Sequence, residues 1–252
     1  MDLLIKFYAI FLISILIALT QYKCNINRKE SPLPKELILQ KMTPIKVPEP
    51  SALTLSFDGK YFWSVCDENS KVYRLTKNGT VTNSFIIDGE DLEGITVIDV
   101  NRLAVILERS REVVIIDTLG NEVSHKGFNL EGNLNEGLEG ISYDSKNKIY
   151  YLLNEKNPGL LIKADSSFNE LSRKVITFAD DYSDIFYAID DNTLWILSDE
   201  SKRVFQTDLN GNKLKEFFIE VDQPEGLVVD YKNKLIYVVS DKKEELYEFK
   251  LP

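Results

Sequence analysis

One histidine, His125, and two cysteines, Cys24 and Cys66, are all that 252 residues offer of the side chains that build most zinc sites, catalytic triads and disulfide frameworks. A histidine-dependent triad has a single candidate base, and His125 lies in a polar, outer-strand pattern. Ser51 and Ser183 are nucleophiles in principle, without a histidine partner. No GxSxG elbow, P-loop or dinucleotide-binding glycine fingerprint occurs. Cys24 sits beside the apolar N-terminal run and Cys66 inside a strand pattern, so the two do not read as a disulfide; Cys66 reads as a small buried hydrophobe. Basic residues are outnumbered: 30 Lys and Arg against 40 Asp and Glu give a net charge of −10. Phosphate backbones repel such a surface, which excludes nucleic acid as a natural partner and favours cations. Beyond residue 22 no helical period is sustained for ten residues.

Long uncharged runs are missing too, with one exception. Phe7 to Thr20 carries no charge and follows Lys6. The run is shorter than the ~18 apolar residues of a full membrane span, and it suits an export signal. Gln21, Tyr22 and Lys23 stand where a signal peptidase wants small residues, and Lys23 fits a lipidation motif at Cys24 poorly. Residues 1–22 are therefore expected to form a hydrophobic helix acting as a signal anchor or a cleaved signal peptide, with lipidation as a third reading. All three export the domain, leaving it anchored to the inner membrane, in the periplasm or on the cell surface. A polar linker, 23–35, leads into a folded domain over 36–252.

Within that domain the chain resembles itself at a period of about 42 to 46 residues, the length of a propeller blade. Each unit opens with a short apolar strand: SALTL (51–55), EGITV (93–97), EGISY (139–143), SDIFY (183–187) and EGLVV (225–229). A second strand follows in YFWSVCD, LAVILE, IYYLLNE, LWILSD and IYVVSD. A third appears in KVYRL, EVVII, LLIKA, RVFQT and ELYEF, and a fourth in VTNSFII, VSHKGFNL, KVITF and KLKEFFI. Strand-forming residues punctuated by Gly, Asn and Asp turns, four strands to a unit, predict an all-β, five-bladed β-propeller. The last unit ends at Pro252 after three strands. ELILQKMTPIKV (36–47) can supply the missing outer strand and close the ring, which removes an exposed edge. A six-bladed ring would need a further unit that the sequence does not show.

Aligning the units exposes two columns. The residue opening the first strand is Ser51, Glu93, Glu139, Ser183 or Glu225. The residue ending the second is Asp67, Glu108, Glu155, Asp199 or Asp241, acidic every time. In an antiparallel pair these ends adjoin, so both columns meet at one mouth of the central channel. Carboxylates at strand ends commonly cap turns. A ring of them at a narrow mouth repels itself unless protons or a cation intervene. Oxygen donors without a His or Cys cluster point to calcium or magnesium, not zinc. The polar loop Asn154, Lys156, Asn157 and Pro158 belongs to the same mouth, as a plain turn or as an orienting element for an anionic substrate.

The strings NEGLEGISYD (135–144), NEKNP (154–158), LSDES (197–201) and PEGLVVD (224–230), in this order, resemble the SdiA-regulated family of YjiK/CarP-like β-propellers. That resemblance spans roughly residues 40 to 252. It implies calcium-linked biology and similarity to propeller phytases and esterases, with Glu93, Glu139, Glu155, Asp199 and Glu225 as the metal-ligand candidates. Asp67, Glu108, Asn154 and Asp241 are possible additional residues of the channel mouth. Ala52 and Asp184 depart from the family pattern, where glycine usually follows the opening residue. The expected function is a calcium-binding module of the cell envelope, engaging an unknown small molecule or envelope protein. The alternative is a metal-dependent hydrolase, a phosphoesterase or a lactonase/esterase, working at the same mouth.

Overall fold

The computed structural model describes residues 35–252, so the apolar run at 7–20 and the expected helix lie outside the described residues. No helix among the described residues is long and apolar enough to cross a membrane. Two short strands come first, β1 (Lys35–Glu36) and β2 (Leu39–Pro44). Blade one follows as β3 (Pro50–Leu55), β4 (Tyr61–Cys66), β5 (Lys71–Thr76) and β6 (Val81–Ile86). Blade two comprises β7 (Leu92–Val97), β8 (Arg102–Leu107), β9 (Glu112–Asp117) and β10 (Glu122–Gly127). Blade three comprises β11 (Leu138–Asp144), β12 (Ile149–Asn154), β13 (Leu160–Ala164) and β14 (Glu170–Val175). Blade four comprises β15 (Asp184–Ala188), β16 (Thr193–Ser198), β17 (Arg203–Thr207) and β18 (Lys213–Phe218). Blade five comprises β19 (Pro224–Asp230), β20 (Leu235–Ser240) and β21 (Glu245–Lys250), and β2 completes it. Five blades, and not six, make the ring.

Antiparallel pairing of Leu39 with Phe249 and of Pro44 with Glu245 closes that ring, as the short last unit requires. The leading segment does more than expected, however. Lys35 and Glu36 pair in parallel with Phe217 and Phe218, adding a fifth strand to blade four before the chain crosses to blade five. The outer strand of blade three also differs from the KVITF expectation: it spans Glu170–Val175. Its residues are exposed, whereas the apolar Ile176 that follows is buried under the crossing to blade four. Burial in a connection, not strand membership, explains why those residues are apolar.

Five separate clusters of buried side chains account for the core, one between each pair of adjacent blades. Blade three shows how the sequence encodes this. Along β12, Tyr150 and Leu152 face blade two while Tyr151 and Leu153 face blade four. A sheet buried on both faces reads as an unbroken apolar run, which is why the second strands carry no polar alternation. Each such side chain taken out of water stabilises the ring by roughly 1.5–3 kcal/mol. Outer strands β10 and β14 are exposed along their whole length, and His125 on β10 pairs with Glu122 in solvent. Cys66 is a buried free thiol, its pKa pushed up to about 11 chiefly by burial.

Blades one and five are further clamped by Lys77, whose Nζ lies 2.5 Å from a carboxylate oxygen of the buried Asp230. Around the channel the first strands come so close that side chains are restricted. A Cβ on Gly226 would sit 2.5 Å from the Leu53 nitrogen, and one on Gly140 would sit 2.9 Å from the Ile185 nitrogen. Ala52 is small enough to be accommodated, fully buried, in the equivalent place. Asp184 is the exception with a purpose: its carboxylate accepts the Leu227 N–H of blade five at 2.7 Å and the Ile185 N–H at 2.8 Å. It bonds blade four to blade five from within the channel wall.

Candidate functional site

In blades one, two, three and five the pairing register slips by one residue where the first strand begins, between Pro50 and Ala52, Leu92 and Gly94, Leu138 and Ile141, and Pro224 and Gly226. Ser51, Glu93, Glu139 and Glu225 therefore stand in β-bulges. A bulge inserts an extra residue and re-aims a side chain, here out of the sheet ladder at the channel mouth. Blade four shows no such slip along its inner pair, and Ser183 holds its place by donating its N–H to the Leu197 carbonyl at 3.0 Å.

Glu93, Glu139 and Glu225 approach one another across the mouth. Each keeps part of its surface open while protein encloses the rest. Burial pushes all three carboxyls well above the usual carboxylate range, and mutual repulsion adds to it: Glu93 feels Asp67, Glu225 and Glu108, while Glu139 feels Glu93, Glu108 and Glu225. Glu225 faces Asp199, Asp181 and Asp241, with the Ser183 hydroxyl as a partial offset. Burial lifts Glu108 to about 7, although its Oε1 accepts the Gly137 N–H at 2.8 Å, and Asp241 is raised to about 6, again mainly by burial.

Around this centre the carboxylates gather in trios whose oxygens lie within 4.8 Å of one another: Asp67, Asp91 and Glu93; Glu108, Glu139 and Glu155; Glu155, Asp181 and Glu200. Of the residues singled out from the sequence, Glu93, Glu139 and Glu155 fall in trios, as do Asp67 and Glu108. Asp199 belongs to none of these trios and pairs with Lys202 at 2.7 Å. Asp241 and Glu225 stay in the ring without joining a trio. Asn154 braces the mouth loop, its Nδ2 donating to the carbonyls of Glu136, Lys156 and Pro158. Asp91, Asp181 and Glu200 were not singled out. The first two stand two residues ahead of Glu93 and Ser183, a column that also holds Glu49, so an alignment extended by two positions would have found them.

Turn-capping carboxylates elsewhere behave in the opposite way. Asp117 and Asp165 accept the side-chain amides of Asn121 and Asn169 and successive backbone N–H groups, which hold both below the usual range. At the mouth burial outweighs the donors: Asp181, although it accepts the Ser198 hydroxyl and the Glu200 N–H, is raised above the usual range. Cations stand outside the mouth carboxylates: Arg109 on Asp91 at 2.7 Å, and Lys156 on Glu155 at 2.7 Å and on Glu200 at 3.1 Å. Two buried acceptors at the mouth, Asp67 Oδ1 and Asn154 Oδ1, have no hydrogen-bond partner among the described residues. Buried acceptors left unpaired cost about 1–3 kcal/mol each, and oxygen-only donor sets of this kind fit a hard cation.

A family model described as SdiA-regulated matches residues 35–250. Among solved structures, selenomethionine-substituted virginiamycin B lyase from Staphylococcus aureus is 15% identical, over 84% of this chain and 70% of that one, with a TM-score of 0.51. A catalytically inactive histidine-to-alanine form of that lyase from the same organism, with quinupristin, is 14% identical over 81% and 66%, with a TM-score of 0.53. A nidogen/laminin complex gives 13% identity over 80% and 76%, with a TM-score of 0.59. At these identities the likeness is one of fold.

Proposed function

The chain belongs to the SdiA-regulated family, and from that premise we propose that its acidic mouth binds a divalent cation, calcium by the chemistry of its donors, and that the protein serves as a binding or regulatory module of the cell envelope. The observation that carries this reading is the set of three carboxylate trios built around Glu93, Glu139 and Glu155, with Glu225 facing them across the mouth. Like charges held this close within protein are unfavourable without a counter-charge. Calcium accepts six to eight oxygen ligands in flexible geometry, which suits side chains arriving from several blades. The Arg109 and Lys156 ion pairs offset only the outer members of the ring.

Histidine chemistry gains no support. The S. aureus lyase loses activity in its histidine-to-alanine form, whereas the single histidine here is exposed on the outer strand β10. One feature favours hydrolysis as a second reading. Glu108, raised to about 7 beside Glu139, would serve as a general base if a cation were held by the neighbouring trios and left its carboxylate free. When bound, that cation would polarise an ester or phosphoryl oxygen.

Thermal melting of the full-length protein in millimolar calcium, against sodium chloride at matched ionic strength, tests the cation site. A ligand binding only the folded state stabilises it by RT ln(1 + [L]/Kd), ~2.7 kcal/mol at a hundredfold excess over Kd. Calcium is expected to raise the melting temperature beyond the sodium control, and Glu139→Gln to blunt the rise. Identical behaviour of the two salts would remove the site, and the hydrolase reading with it.

A further inference from the structure

The opposite mouth of the channel, where the first strands end, has a different chemistry. A cavity of about 180 Å³ opens there, and no charged residue lines it, in a chain of which 28% of residues are charged. Three strand residues, roughly 10 Å, separate its hydroxyls from the opening residues of the acidic ring. The repeat that aligns the carboxylates also aligns this pit. Three positions after each opening residue stand Thr54, Thr96, Ser142, Phe186 and Val228. Hydroxyls thus come from three consecutive blades and apolar side chains from the other two.

Thr54 and Thr96 are 7% and 4% exposed and line the cavity. Ser142 Oγ accepts the Tyr187 N–H at 2.8 Å and keeps its own proton free to donate. Tyr143 and Phe186 contribute aromatic wall, and Phe57 and Ile189 form a rim, 64% and 59% exposed. Hydroxyls that line a cavity both donate and accept, and so can meet the hydroxyls of a ligand.

We propose that this pit is a second binding site, independent of the acidic mouth, which takes a neutral sugar ring. Its volume lies below the 300–1,000 Å³ of sites for drug-sized ligands, so it holds one ring. A sugar has a hydrogen-bonding edge for Thr54, Thr96 and Ser142 and an apolar C–H face for Tyr143 and Phe186. An acyl chain would leave the three hydroxyls unpaired. A charged ligand would lose hydration with no counter-charge in the lining to replace it.

Ligand-observed saturation-transfer NMR on the full-length protein tests this with methyl β-glucopyranoside, N-acetylglucosamine and, as the charged counterpart, glucuronate. Saturable millimolar binding is expected for the neutral probes and none for glucuronate. Thr96→Val keeps the side chain's shape and removes one donor, so Kd should rise roughly fivefold, the ~1 kcal/mol of one hydrogen bond. Thr54→Val should do the same, and serves where the first variant melts early. Ile189→Arg, on the exposed rim, should abolish binding. Glu139→Gln and added calcium should leave it unchanged. Absence of saturable binding, equal binding of glucuronate, indifference to both valine variants, or loss in Glu139→Gln would each overturn the proposal.

Discussion

Acidification of the cation-free protein from pH 7.5 to 5.5 should raise its melting temperature, and Glu108 supplies one contribution whose size can be worked out. Its ordinary pKa of 4.5 rises to about 7 in the fold, mainly through burial. Between those values the folded state holds a proton that the unfolded chain has released, so stability is gained as pH falls and lost as pH climbs through 7. At 1.36 kcal/mol per tenfold change the full displacement is worth ~3 kcal/mol. About 2 kcal/mol of it appears by pH 5.5, and the rest by the ordinary value. At 2–4 °C per kcal/mol for a chain of this size, that is a rise of ~4–8 °C. Glu93, Glu139 and Glu225, all raised, act in the same direction. Scanning calorimetry in EDTA at pH 7.5, 6.5 and 5.5 measures it. Glu108→Gln should melt higher than the parent at pH 7.5 and gain less on acidification, because the amide never carries the charge. Parallel curves for parent and variant, or a parent that only loses stability on acidification, would refute the reasoning. Saturating calcium should flatten the slope, since the ion competes with protons for the same oxygens.

Other expectations concern the ring. Gly226→Ala forces a methyl to within 2.5 Å of the Leu53 nitrogen and should cost ~1–3 kcal/mol in urea denaturation, because neither inner strand can retreat from its neighbours. Lys77→Met removes the partner of Asp230, whose side chain is 4% exposed; Asn233 still bonds that carboxylate, so a loss of ~2 kcal/mol is expected by the same assay. Deleting residues up to 44 uncovers the β21 edge and takes the fifth strand from blade four. Size-exclusion chromatography should then show association, and a monomer with unchanged melting temperature would contradict the closure argument.

Much of the architecture is local in origin, and that is why it was legible. The 42-to-46-residue period, the unbroken apolar second strands and the three-stranded final unit require only that neighbouring blades bury both faces of each sheet, so they yield five blades and the closing strand from 36–47. The acidic column belongs to the same repeat, and its placement at one mouth follows from strand direction alone. What lay beyond the sequence depends on contacts between distant residues. Bulges at Glu93, Glu139 and Glu225 arise from cross-strand register, and they decide which carboxylates turn toward the axis. Asp199 turns to Lys202 while Glu200 joins Glu155 through the shared Lys156, and Asp181 is held there by the Ser198 hydroxyl and the Glu200 N–H. The parallel pairing of Lys35 with Phe217, and the burial of Ile176 outside any strand, were likewise settled by what each segment meets on the next blade. Periodicity placed the strands; the close approach of five blades around one axis decided which side chains share a site.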